Sequence, residues 1–256
     1  MSISDLRVGF AALTPRERNL FIIRFLHFFL FNTCQFPDFL LLGDETRRDN
    51  IEGILASHGS SIRRQLKSFL ESLSSVEKQL RCLSSMPVEQ VLFILGPNVH
   101  RPSRVVLLNF QNCDIDTSEM EVESEIECEE RFPVFFRNLM QCPHYKAIFG
   151  GSLPAYRLHV YIKAKTKSGY CFGDCIPKID FKPPSKGVHV INVLSMEDTM
   201  ELSSLSECEG TAGGDASSVN LSTSDADITH RIGRFIATHD DEMWFACSKV
   251  IPGCQC

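Results

Sequence analysis

Ile62, Leu66, Phe69, Leu73, Val76, Leu80 and Leu83 step alternately by four and three residues through "SIRRQLKSFLESLSSVEKQLRCL". That spacing puts them on one side of a helix and predicts an amphipathic element laid on a core. Three heptads without a clear set of flanking opposite charges do not make a two-chain coiled coil. Upstream, residues 20–31 are apolar except for Arg24 and His27. Thr14-Pro15-Arg16-Glu17 in front of them reads as a capping box with Pro at the first helical position. The predicted helix runs to about Phe31 and stops before Phe36-Pro37. Because it is apolar almost all round, it should be central and covered on several sides.

After Pro87 the period changes. "VLFILG" (91–96) and "RVVLLNF" (104–110) read as strands joined by a turn. Glu then recurs at every second position from 119 to 129, a pattern open to an alternating strand face or a solvated acidic loop. The loop, over about 114–130, is the preferred reading. "RFPVFFRNLMQCPHYKAIF" (131–149) predicts a helix with Pro133 near its start and a break or kink at Pro143. "YRLHVYIKAK" (156–165), "VHVINVLS" (188–195), "RIGRFIAT" (231–238) and "MWFACSKVI" (243–251) read as strands, with "TKSG" turning into "YCF" after the first. Between them "CIPKIDFKPPSKG" (175–187) is too rich in Pro for a helix or a central strand, and Lys178, Lys182 and Lys186 make it a basic prong. Residues of about 198–228 are Ser/Gly/Asp-rich without periodicity and read as a disordered insertion. Helices early, one in the middle and several non-alternating strands predict one α+β domain over residues 1–256.

At 256 residues, 43% hydrophobic and 23% charged, the chain can bury one sizeable core. The net charge of −6 argues against bulk nucleic-acid binding. That charge is segregated: residues 114–130 hold nine acids and no base, whereas 157–186 hold seven Lys/Arg against two acids. Opposite patches on one small protein suit the orientation of protein partners. Eleven cysteines, an odd number, cannot all pair. The N-terminal stretch does not read as a secretory signal, and residues 20–31 are too short and polar to cross a bilayer. A soluble, intracellular, reduced protein is expected, whose cysteines serve mostly as small core hydrophobes.

Enzymatic motifs are missing: no phosphate-binding glycine loop, no dinucleotide fingerprint, no H-E-x-x-H and no G-x-S-x-G. Cys171/Cys175, separated by three residues, and Cys254/Cys256, separated by one, with His230 and His239 upstream, are loosely permissive of zinc, which usually needs cysteines spaced by two to four residues and four converging ligands. No metal or cofactor is expected. His159 and His189 read as hydrogen-bonded core or interface histidines, and Trp244, the only Trp, as a core anchor of the last strand.

The order and spacing of "VLFILGPNVHRPS" (91–103), "FFRNLM" (135–140), "IPKIDFKPPSKGVHVINVLS" (176–195) and "MWFACSKVI" (243–251) resemble the comet family of Mad-two-binding spindle-checkpoint adaptors. The resemblance is collinear from roughly residue 18 to the C-terminus. It implies a HORMA fold, about three main helices packed on a largely antiparallel sheet, and a non-enzymatic protein. Family members bind the closed conformer of Mad-two and recruit a ring-shaped AAA+ ATPase of the pachytene-checkpoint type. Opening that conformer disassembles the mitotic checkpoint complex and silences the checkpoint.

Carried over by residue, the resemblance implies an ATPase-binding pair at Pro177 and Lys178. It implies a Mad-two-facing aromatic at Phe136, with its neighbour Phe135 as the alternative and Met140 on the same helix. A family glutamine at the end of the first helix falls on the shorter Asn32. No membrane or nucleic-acid partner is implied; the protein is expected to be a monomer when alone, in nucleus and cytoplasm, with spindle or kinetochore association in mitosis. The insertion of about 198–228 is longer than in the family, and the family's long N-terminal tail is missing. Residues 243–256 are expected to fold back where a HORMA protein would hold a captured peptide. Two other readings remain: a HORMA protein that captures a partner peptide under its own C-terminal belt, and a thiol- or zinc-dependent enzyme.

Overall fold

The structure, a computed structural model, describes residues 4–10, 13–36, 59–83, 88–110, 125–151, 153–166, 174–195 and 241–254. The insertion of about 198–228, the strand expected at 231–238, the turn at 167–172, most of the acidic segment (114–124), and Cys171, His230, His239 and Cys256 lie outside them.

The long apolar helix, α1 (Pro15–Asn32), begins as its sequence dictates. Thr14 Oγ1 accepts the Glu17 N–H at 3.3 Å, and the Glu17 carboxylate accepts the Thr14 N–H at 2.7 Å. Between residues 21 and 30 only Arg24 escapes full burial, because helices cover both flanks and a sheet lies beneath. On one flank packs α2 (Ser60–Cys82), burying Leu66, Phe69, Leu73, Val76 and Leu80 of the predicted stripe. His27 and Glu77, both buried, meet across this junction at 2.5 Å. On the other flank lies α3 (Glu125–Gln141), which buries Phe132, Phe135 and Leu139. A short α4 (Tyr145–Phe149) follows the break at Pro143.

Eight strands are described: β1 (Ser4–Phe10), β2 (Val88–Gly96), β3 (Arg104–Asn109), β4 (Arg157–Thr166), β5 (Ile176–Lys178), β6 (Val188–Ser195), β7 (Asp241–Ala246) and β8 (Ile251–Pro252). They form one mixed sheet in the order β1-β6-β3-β2-β4-β7-β5, with β8 on β4. β6 is parallel to both β1 and β3, and the other pairings are antiparallel. The fold is therefore α+β. Alternate residues such as Val91, Phe93, Val106, Val160, Ile162 and Ile191 face the helices and complete the main core. The opposite face carries a second apolar cluster of Leu92, Ile94, Val105, Tyr161, Val188 and Ala246.

Four expectations are corrected. Residues 125–130 are helical, so the second part of the expected acidic loop is the start of α3. Acidic residues suit that position, because a helix N-terminus carries partial positive charge. Pro133 consequently lies inside α3 rather than near its start. The expected strand 243–251 is two strands, β7 and β8, separated by residues 247–250, and together they share the far edge of β4. Trp244 is half-buried on the outer face of the sheet, not in the main core. β1 was not expected at all.

Candidate functional site

α1 and α3 rise in the same direction. Phe21 meets Phe132 and Phe135, and Phe28, two turns further on, stacks on Phe136 at 4.6 Å. The ends of the two helices therefore come together. Phe135 points inward with no exposed surface, edge-on to Phe21 at 4.7 Å, so in this conformation it offers nothing to a partner. Phe136, a 100° step round the helix, is half-buried at the rim. One turn beyond it Met140 is 49% exposed, and at the end of α1 Phe31 is 41% exposed. Val134 is exposed on the outer side of α3.

Asn32 joins the same rim, but its amide is engaged within the chain. Tyr145 Oη donates to Asn32 Oδ1 at 2.5 Å, and Asn32 Nδ2 donates to the Phe28 carbonyl at 2.8 Å. The Tyr145 bond holds α4 against α1, and the Phe28 bond fixes the Asn32 side chain on its own helix. Arg104 fixes the other end of α4 by donating to the carbonyls of Ala147, Ile148 and Gly150. The rim around Phe136 is thus a supported apolar surface.

The prong forms a second surface at the opposite edge of the sheet. β5 pairs with β7, placing Pro177 opposite Phe245 and Lys178 opposite Trp244. Cys247 N–H bonds the Val160 carbonyl at 3.0 Å. By the alternation of an antiparallel ladder, Phe245 too turns its N–H towards β4, which makes Pro177–Phe245 a non-hydrogen-bonded pair. The missing N–H of Pro177 therefore faces away from β7, towards what is the sheet's edge among the described residues, the place where a sheet tolerates proline. Ile176 and Ile179 are exposed beside it, as are Lys182 and Lys186. Sequence reading missed what anchors this prong. Phe181 stacks on Tyr161 at 4.1 Å and meets Trp244 edge-on at 5.6 Å.

The C-terminal segment also docks. Ile251 pairs with Leu158, and Cys254 N–H donates to the Gln35 carbonyl at 2.8 Å. The Gln35 side chain bridges further, accepting from Tyr156 N–H at 2.7 Å and donating to the Pro154 carbonyl at 3.1 Å. Gly253 is needed there, since a Cβ would stand 2.8 Å from the Tyr156 backbone and collide with the Gln35 amide.

Cys254, one of the zinc candidates, is buried, as is Cys175. Among the described residues, no three His, Cys, Asp or Glu side chains gather as a metal site. Among them, too, no helix is long and apolar enough to cross a membrane. The His159 Nε2 is buried without a hydrogen-bond partner, contrary to expectation, and burial and Arg157 hold its pKa below the usual value. Neither a family model nor a curated protein matches the chain.

Proposed function

We propose that this protein is a HORMA-like, non-enzymatic adaptor that binds the closed conformer of a Mad-two checkpoint protein and recruits a pachytene-checkpoint-type AAA+ ATPase to open it. The outcome would be disassembly of the mitotic checkpoint complex, in nucleus and cytoplasm, with spindle or kinetochore association in mitosis. One observation carries the reading. Of six exposed large hydrophobics among the described residues, Phe31 and Met140 lie at the adjoining ends of α1 and α3, and Ile176 and Ile179 flank Pro177 and Lys178. Two separate apolar surfaces, one on helices and one beside lysines, suit two different protein partners. The α+β order and the largely antiparallel sheet agree with the fold this requires. Residues 241–254, paired along β4 and tied to Gln35, favour a self-closed adaptor over capture of a peptide by a loose C-terminal belt.

Paired variants test it by separating the two surfaces. Pro177→Ala with Lys178→Ala should abolish ATPase recruitment and spare Mad-two binding; Phe136→Ala should do the reverse. Loss of both activities in both variants, or of neither in either, would refute the assignment of sites.

A further inference from the structure

Cys175 immediately precedes β5 and Cys247 immediately follows β7. The register that pairs Ile176 with Ala246, Pro177 with Phe245 and Lys178 with Trp244 places these two cysteines opposite each other at its next step. The Cys247 N–H is committed to the Val160 carbonyl on the other side, at 3.0 Å. The 175/247 pair is therefore of the non-hydrogen-bonded kind, in which Cα atoms approach to about 4.5 Å and side chains lie closest. That separation falls inside the window a disulfide requires, roughly 4.4–6.8 Å. Both side chains face the main core, and both are reduced thiols here.

Gln79 of α2 holds the corner. Its Oε1 accepts the Ser248 N–H at 2.9 Å and lies 3.9 Å from Cys175 Sγ, while its Nε2 donates to Ser248 Oγ at 2.7 Å. Neither thiol has a part in the adaptor reading, so a role for the pair does not depend on it.

We propose that Cys175 and Cys247 form a reversible disulfide, made by a hydroperoxide and broken by a small thiol, that staples the basic edge strand β5 to β7. The Cys175 thiolate attacks the hydroperoxide; an S–O bond forms, the O–O bond breaks, and an alcohol (water, from hydrogen peroxide) leaves. Cys247 sulfur then attacks the resulting sulfenic acid. The S–S bond forms, and the hydroxyl leaves as water with the Cys247 proton. Two thiols are oxidised by two electrons as one hydroperoxide is reduced. Two equivalents of a small thiol restore the pair and become a disulfide themselves.

The division of labour has a physical basis. A hydrogen bond from Cys247 lowers the Cys175 pKa against the opposing effects of burial and Asp174, whereas the Cys175 neighbour and burial push Cys247 well up. Cys175 is thus the group that ionises first. Access runs through the edge: β5 is only three residues long, pairs among the described residues with β7 alone, and is preceded by the exposed Asp174.

The test uses the full chain, folded, with hydrogen peroxide as oxidant, followed by thiol alkylation and a non-reducing digest read by mass spectrometry. The expected result is the loss of two of the eleven alkylatable thiols in a peptide pair joining 175 to 247, reversed by dithiothreitol. Amide exchange at 176–178 and 244–246 should slow on oxidation. In Cys247→Ser the cross-link should vanish and dimedone should label Cys175. A folded wild-type protein oxidised at the exposed Cys34 or Cys82 with no 175–247 link would overturn the proposal. So would a link that forms only after denaturation.

Discussion

Truncating Phe135 to Ala removes a ring with no exposed surface from the Phe21 cluster, a loss of about 3–5 kcal/mol. Truncating the half-buried Phe136 removes its stacking on Phe28 at 4.6 Å, a looser stacked contact with Phe21 at 6.2 Å and an edge contact with Phe135 at 5.5 Å. Each aromatic pair is worth about 0.5–1.5 kcal/mol beyond its buried area, but the fully buried Phe135 stays in the core. Urea denaturation of both variants should rank Phe135→Ala well below Phe136→Ala; equal losses would mean that Phe136 is as much core as its neighbour. As an interface hot spot, Phe136→Ala should also weaken partner binding by about 2 kcal/mol, roughly thirtyfold. Histidines set the expected pH dependence. Burial, followed by Arg157 for His159 and Arg104 for His189, holds both pKa values below 6.5 in the folded chain. The unfolded chain then binds more protons than the folded one once pH drops below that value. Their contribution is complete above 6.5 and lost as pH falls towards the lowered folded values. Denaturation midpoints should therefore fall between about pH 7.5 and 5.5, less steeply in His159→Leu, whose side chain would match its neighbour Ile94 across the strands. At this scale the sequence was only partly legible. Phe135 and Phe136 are chemically identical, and only the placement of α3 against α1 separates core from rim. The unpartnered Nε2 of His159 has no sequence signal.

Elements with strong periodicity were read well. The capping box of α1, the 4-3 stripe of α2 and the break after α3 all stand where their residues put them, since each depends on neighbours a few positions away. β1 was missed although Leu6, Val8 and Phe10 alternate, because its partner β6 lies roughly 185 residues onward in sequence and only tertiary pairing makes it a strand. The start of α3 was hidden by Glu at every second position, a strand-like alternation that carries no helical stripe. The prong was legible as an extended, proline-edged segment, but a single Phe among its Pro and Lys residues carries no periodicity, so Phe181, the residue that anchors it, was not. That anchor gives a direct prediction. Trp244 is the only tryptophan in the chain, so Phe181→Ala should red-shift its emission and speed proteolysis within 176–187, with the helices unaffected by circular dichroism. At the α1–α2 junction, Glu77→Ala leaves His27 buried opposite an empty site. Depriving a buried polar group of a hydrogen-bond partner costs about 1–3 kcal/mol, and the thermal midpoint should drop accordingly.

Across the whole molecule, the two exposed surfaces stand apart. The Phe136 rim belongs to the helical layer towards the β1 end of the sheet, whereas the prong edges it beyond β7. An adaptor requires such a separation, because one partner must be held while the other acts. The C-terminal segment closes on β4 and Gln35 between them. The α+β class was legible from element order alone; the parallel placement of β6 between β1 and β3 was not, since strand order is a property of the assembled sheet. The most direct test is size-exclusion co-elution of the full chain with the closed and the open conformers of Mad-two, run separately. The adaptor account predicts co-elution with the closed conformer alone; binding to neither, or equally to both, would contradict it.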